Sequence, residues 1–143
     1  MSQPLLKVEN LVKHFPITGG LFGSEVASVK AVQGVSFEIN KGETLGLVGE
    51  SGCGKSTLGR CLIRLIDPTS GKITFNGQDI THVSGSELRA LRRKMQIIFQ
   101  DPFASLNPRM TVGSIIEEPL IIHDLYPTGN DRKDRVHQLL DLV

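Results

Sequence analysis

The chain has 143 residues, enough for one small domain or for a piece of a larger one. Its 39% hydrophobic and 22% charged content and net charge of +1 are those of an ordinary soluble protein, without the basic excess of a nucleic-acid binder. No apolar run approaches the roughly 18 residues of a membrane span, the start MSQPLLKVEN lacks a secretory pattern, and two cysteines, Cys53 and Cys61, are too few for a disulfide framework or a zinc site. A reducing cytosol is the expected compartment.

Along the chain, Leu5 to Glu9 alternates as a strand does, and Val29 to Ile39 reads as a second strand. The intervening PITGGLFGSEVAS, rich in glycine, serine and proline, is expected to be a loop or a variable insertion, and Asn40-Lys41-Gly42 a turn. Glu43 to Val48, ETLGLV, is short, apolar and without alternation, the pattern of a parallel strand buried on both faces. Leu58, Cys61, Leu62, Leu65 and Ile66 then recur at helical spacing over residues 55 to 66, with Arg60 and Arg64 on another face; the helix is expected to stop at Asp67, before Pro68. SGKITFNGQDI contains a strand, residues 86 to 94 a helix with Leu88 and Leu91 inward, and MQIIFQ a further apolar strand. The basic run Arg92-Arg93-Lys94 is expected to be a solvated helix end. DPFASLNPRM is irregular, residues 111 to 118 form a helix that Pro119 ends, and a last helix starts at Arg132 with Val136, Leu139, Leu140 and Val143 on one side.

Between the apolar run and the first long helix stands GESGCGKST, residues 49 to 57, with the spacing Gly-x-x-x-x-Gly-Lys-Ser. Each residue type has a physical role in holding phosphate. Gly49, Gly52 and Gly54 permit positive φ and a close backbone approach, so that the amides of Glu50, Ser51, Cys53 and their neighbours can point into one concavity. The following helix adds the partial positive charge of its N-terminus. Lys55 reaches the β- and γ-phosphates, Ser56 can ligate Mg²⁺, and Thr57 bonds near the α-phosphate. A strand before and a helix after are the context this motif requires. The residues preceding the loop are too many for a small kinase or GTPase, no Asn-Lys-x-Asp for guanine is present, and no acceptor-binding lid is evident.

Taken together, LLKVENLVKHFP, VSFEINKGETLGLVGESGCGKSTL, PTSGKITFNGQDI and MQIIFQDPFASLNPRMTVG resemble the N-terminal part of the ATP-binding subunit of an ABC transporter, in the oligopeptide and dipeptide importer branch. The resemblance covers residues 5 to 143. It implies an α/β P-loop NTPase fold, ABC type, with an antiparallel strand subdomain beside an incomplete core. It implies ATP and Mg²⁺ as ligands, with Lys55 and Gln100 catalytic, Ser56 and Gln100 on the metal, and residues 49 to 57 on the phosphates. Phe15 would stack on adenine, although a phenylalanine in such a loop serves packing as readily. Residues 101 to 110, Phe103 included, would sense the membrane partner. The implied partners are transmembrane permease subunits and a second ATP-binding subunit, homo- or heterodimeric, with no nucleic acid. The implied location is cytoplasmic, peripheral on the inner face of the cell membrane.

The family's signature sequence, Walker B strand and His switch would lie beyond residue 143, so the chain is expected to be a fragment of a longer subunit or a truncated product. The complete subunit would be an ATPase powering import of peptides or similar solutes. The rival expectation is a fragment that binds ATP without turning it over.

Overall fold

The computed structural model describes residues 3–19, 24–101 and 105–143; Phe103 lies outside them, as do residues 20–23 of the expected loop. The chain divides into two compact units, residues 1–96 and 97–143.

The first unit is built on an antiparallel sheet of order β2-β1-β3-β4. Strands β1 (Leu6–Gly19) and β2 (Ser24–Ile39) form a long ribbon, running from Leu6 opposite Ile39 to Gly19 opposite Ser24. The expected loop between two short strands is therefore largely strand. Ile17, Thr18, Val26 and Val29 supply β-branched residues that favour the pleat. Pro16 is tolerated because β1 has β3 beside it only up to Val12, opposite Ser70. Beyond that point β2 is the one described strand beside β1, with Pro16 opposite Ser28, and proline is confined to such edge positions. Strand β3 (Ser70–Phe75) pairs with the inner half of β1, and the two-residue β4 (Gln78–Asp79) folds back on β3. Gly71 has φ +96°, and a Cβ there would collide with the Asn10 carbonyl oxygen and the Leu11 Cα, so glycine sets how closely β1 and β3 meet.

Helix α1 (Lys55–Leu62) lays Leu58 and Cys61 on this sheet, in one core with Val8, Leu11, Val32 and Ile73. Ile80 and Leu91, the latter from helix α2 (Gly85–Arg92), complete it. Leu11, Ile73 and Ile80 are fully buried, and each such side chain contributes roughly 1.5–3 kcal/mol. α1 is shorter than its periodicity suggests: Arg64 takes φ +57° and turns the chain, which ends the helix before the expected Asp67. Arg64 is also buried.

The turn at 40 to 42 is present, closed by Glu43 N–H on the Asn40 carbonyl (3.1 Å) and by Asn40 N–H on the Glu43 carboxylate (2.7 Å). The strand expected at 43 to 48 does not form, and Val48 is 93% exposed. A doubly buried parallel strand needs hydrogen-bonding neighbours on its edges, and no described strand pairs with this run. Residues 95 to 100 likewise form no strand, for the same reason, with Ile98 at 95% exposure.

The second unit is a helix pair, α3 (Val112–Ile122) and α4 (Gly129–Leu140). Thr111 caps α3 by accepting from Ser114 N–H (3.2 Å). Pro119 does not end this helix but lies inside it; it removes one amide donor close to the C-terminus, where continuation needs only a few more bonds. α4 begins three residues before the expected Arg132, because Thr128 accepts from Asp131 N–H (3.1 Å) and donates to its carboxylate (2.7 Å). Leu120 and Val136 are buried, and Arg132 Nε donates to Glu117 Oε1 (3.1 Å).

Candidate functional site

The glycine-rich loop joins the exposed run at 43 to 48 to the head of α1, and the sheet below fixes where that head lies. Gly54 is the N-cap of α1 at φ +98°, with no side chain capping the helix. A Cβ on Gly54 would strike the Ala31 carbonyl oxygen of β2. The backbone of Gly54 thus lies too close to β2 for any side chain, which makes glycine obligatory there. The amides of the first helical turn have no intrahelical acceptor, so they face outward at the end carrying the partial positive charge.

Gly52 also has positive φ, +82°. Gly49 does not share that geometry, which corrects the expectation for it; a Cβ on Gly49 would lie 2.7 Å from Cys53 Sγ. Its glycine leaves room for the Cys53 side chain. Cys53 N–H donates to the Glu50 carbonyl (3.3 Å) and closes the loop's inner turn.

Lys55 bends back over this ring. Its Nζ donates to the carbonyl oxygens of Gly49 (2.7 Å) and Glu50 (2.5 Å) and lies 3.6 Å from Cys53 Sγ. The ammonium is thereby held above the loop, where a phosphate would meet both it and the amides of the helix head. Ser51 and Ser56 are exposed and Thr57 half-buried. Residues 49 to 57 are thus one continuous structure at the end of one helix.

Two other expected site residues lie outside this loop in sequence, Phe15 on β1 and Gln100 in the second unit. Phe15 sits on β1 opposite Val29, not in a loop. Phe15 is 37% exposed and carries Lys13 Nζ 4.9 Å from its ring centroid, a cation–π arrangement. Gln100 belongs to the second unit, exposed on an irregular run.

Among the described residues no three His, Cys, Asp or Glu side chains group as metal ligands. A single Ser56 hydroxyl does not make a resident metal site. It does fit Mg²⁺, which takes few protein ligands when substrate phosphates supply others.

Two thiols differ sharply. Cys61 is fully buried on the sheet-facing side of α1, and burial pushes its thiol pKa up; Cys53 is exposed in the loop. Sequence reasoning missed Arg64, whose guanidinium serves the carbonyls of residues 80, 81 and 83 from within the unit. Its place in the helical period gave no sign of this, since the left-handed turn that swings it inward follows from tertiary contacts.

The sequence matches the ABC transporter family over residues 32–143. It is 55% identical over 143 residues to the oligopeptide transport ATP-binding protein AppF of Bacillus subtilis, covering 99% of this chain and 43% of that protein. It is 53% identical over 142 residues to the glutathione import ATP-binding protein GsiA of Escherichia coli, covering 99% of this chain and 23% of that one. The chain therefore spans less than half the length of either relative. Among solved structures, a dimeric ATP-binding cassette in a post-hydrolysis state with ADP and Pi superimposes with a TM-score of 0.76, at 27% identity, covering 95% of this chain and 56% of that one. With this match over most of its length, and with the cassette's fold and a glycine-rich loop at the head of α1, the chain belongs to the ABC transporter family.

Proposed function

We propose that residues 1–143 are the N-terminal part of the nucleotide-binding domain of a subunit that binds and hydrolyses ATP to power import of peptides or similar solutes. The observation that carries this reading is the Lys55 ammonium held over the glycine-rich ring at the uncapped head of α1. In this role the loop amides and Lys55 neutralise the phosphate chain, Ser56 contributes a hydroxyl to Mg²⁺, and Thr57 bonds near the α-phosphate. Phe15, on the rigid ribbon, offers a ring face to adenine. Gln100 joins the metal shell and orients water. Phosphoryl transfer of this kind rests on positioning and charge neutralisation more than on covalent chemistry. The permease subunits and a second ATP-binding subunit would be its partners, at the inner face of the membrane.

A second reading, binding without turnover by residues 1–143 alone, is favoured by the exposed, unpaired runs at 43 to 48 and 95 to 100. Both readings share the cradle, and Lys55→Ala tests it. The substitution should weaken ATP by at least about tenfold, in keeping with loss of a charge-assisted contact, while adenosine affinity barely changes. Equal losses for ATP and adenosine in a titration of the intact subunit refute the assignment.

A further inference from the structure

Arg64 is an unusual residue for its place. It is 6% exposed, it carries a permanent charge, and it holds φ +57°, a conformation that glycine adopts far more readily. Its guanidinium serves three backbone carbonyls and one carboxylate: Nη1 donates to the carbonyls of Ile80 (3.0 Å) and Thr81, and Nη2 to the carbonyl of Val83 (3.4 Å) and to Asp67 Oδ1 (2.8 Å). The carbonyls it meets are themselves fixed. Thr81 donates from both its hydroxyl (2.6 Å) and its amide (2.9 Å) to Asp79 Oδ1, and its hydroxyl accepts from Ile73 N–H (2.9 Å) in the sheet.

The backbone of Arg64 continues the chain of contacts. Its carbonyl accepts from Arg92 Nη2 (2.7 Å), at the last residue of α2, and the Arg92 carbonyl accepts from Gln96 Nε2 (3.0 Å). Arg64 lies two residues past α1, whose first residue is Lys55. Gln96 precedes Gln100 by four positions on a run that no described strand holds. A series of directed hydrogen bonds thus leads from the end of the cradle helix to the start of the segment that carries Gln100.

We propose that Arg64 is a positioning residue that, through Arg92, sets where the chain departs toward Gln100 relative to the phosphate-cradle helix. A residue that merely filled space at the foot of α1 would need neither the charge nor the left-handed backbone. Both features place its donors on residues 80 to 83 and its carbonyl on Arg92 at once. The consequence for turnover rests on the reading of Gln100 given above; the positional effect does not.

The test compares Arg64→Gly, Gln100→Ala and the double variant in the intact subunit with its transporter partners. Arg64→Gly keeps the backbone angle and removes the guanidinium. It should leave ATP affinity within about twofold while lowering kcat roughly tenfold to a hundredfold, the scale of a small misplacement. The double variant should be no slower than Gln100→Ala, because both losses pass through one group. Amide exchange over residues 93–101 should quicken in Arg64→Gly, with residues 55–62 unchanged. Unchanged exchange over 93–101, or losses of ATP affinity as large as those of kcat, overturn the role of Arg64. Fully additive losses in the double variant also overturn the shared route. Wild-type turnover in Gln100→Ala overturns the Gln100 reading alone, since exchange still reports the strut. If Arg64→Gly fails to fold, Arg92→Met, which keeps an apolar stem and deletes the bond to Arg64, carries the same comparisons.

Discussion

Lys55 Nζ donates to the carbonyl oxygen of Gly49 across 2.7 Å, so the residue expected to meet phosphate first braces the loop that would surround that phosphate. The glycine-rich ring is shaped by its own cation. A phosphate entering the loop would either share that ammonium, which has three donors, or take it over from the Gly49 and Glu50 carbonyls. Only the second outcome would link binding to a local rearrangement of residues 49 and 50.

Two glycines of the same region should respond oppositely to alanine. Gly54→Ala puts a Cβ against the Ala31 carbonyl at φ +98°, and should cost about 1–3 kcal/mol for strain alone. Gly59→Ala, within α1 and with nothing within 4 Å of the new Cβ, should stabilise by about 0.5–1 kcal/mol. Thermal or urea unfolding of the two variants checks the pair; a stable Gly54→Ala would mean that the loop does not close on β2.

The two cysteines should separate cleanly under a thiol reagent. Cys53 is exposed and 3.6 Å from Lys55 Nζ, whereas Cys61 is fully buried with its thiol pKa raised by burial. Alkylation of the folded protein near neutral pH should label Cys53 at least about a hundredfold faster, since reaction needs both access and thiolate. ATP should protect Cys53, and the modified protein should lose nucleotide binding. Mass spectrometry of the digested product reads both sites; labelled protein with unchanged ATP affinity would show that the Cys53 side chain points away from the ligand.

Acid should loosen the corner that serves Arg64. The Asp79 carboxyl is held below its ordinary value chiefly by the Thr81 hydroxyl, with the Thr81 amide and Lys72 adding to it. The folded protein therefore binds this proton more weakly than the unfolded chain. Its contribution to stability is complete above the ordinary carboxylate range and is lost as pH falls through the lower folded value. Asp79→Asn should flatten part of the acid limb of a stability–pH curve below about pH 4. An acid limb identical in both proteins would remove Asp79 from this account.

Residues 1–143 by themselves should bind Mg²⁺-ATP without appreciable turnover. Lys55 and Ser56 supply part of a phosphate and metal shell, but no described carboxylate cluster accompanies them. Loss of such positioning groups commonly costs about 10²–10³ in rate. Phosphate release from these residues and from the intact subunit, measured side by side, decides the matter; comparable rates would require a catalytic carboxylate within this chain.

How far the sequence foretold these features depended on whether a residue's role was local. The turn at Asn40 to Gly42, the loop GESGCGKST and the start of α1 at Lys55 follow from short-range chemistry, and all stand where the spacing puts them. The length of the β1–β2 ribbon was hidden because glycine and serine near its tip read as loop, while cross-strand pairing such as Ile17 opposite Ala27 decides the outcome. The apolar runs at 43 to 48 and 95 to 100 mislead in the other direction: strand propensity was legible, but a strand exists only where a neighbour accepts its hydrogen bonds. Arg64 was illegible altogether, since the helical period that put it on another face than Leu58 and Cys61 ends one turn too early.

Strand β1 also decides how the cradle is anchored. Its Leu6 pairs with Ile39 on one side, and its Val12 pairs with Ser70 and accepts from Thr69 N–H at 2.8 Å on the other. Everything from Asn40 to Pro68 is therefore a single excursion whose two stems are stitched to the same strand. A peptide bond cut within 43 to 48 would leave both fragments paired to each other, so the molecule should migrate intact in native buffer after limited proteolysis and fall into two pieces only in denaturant.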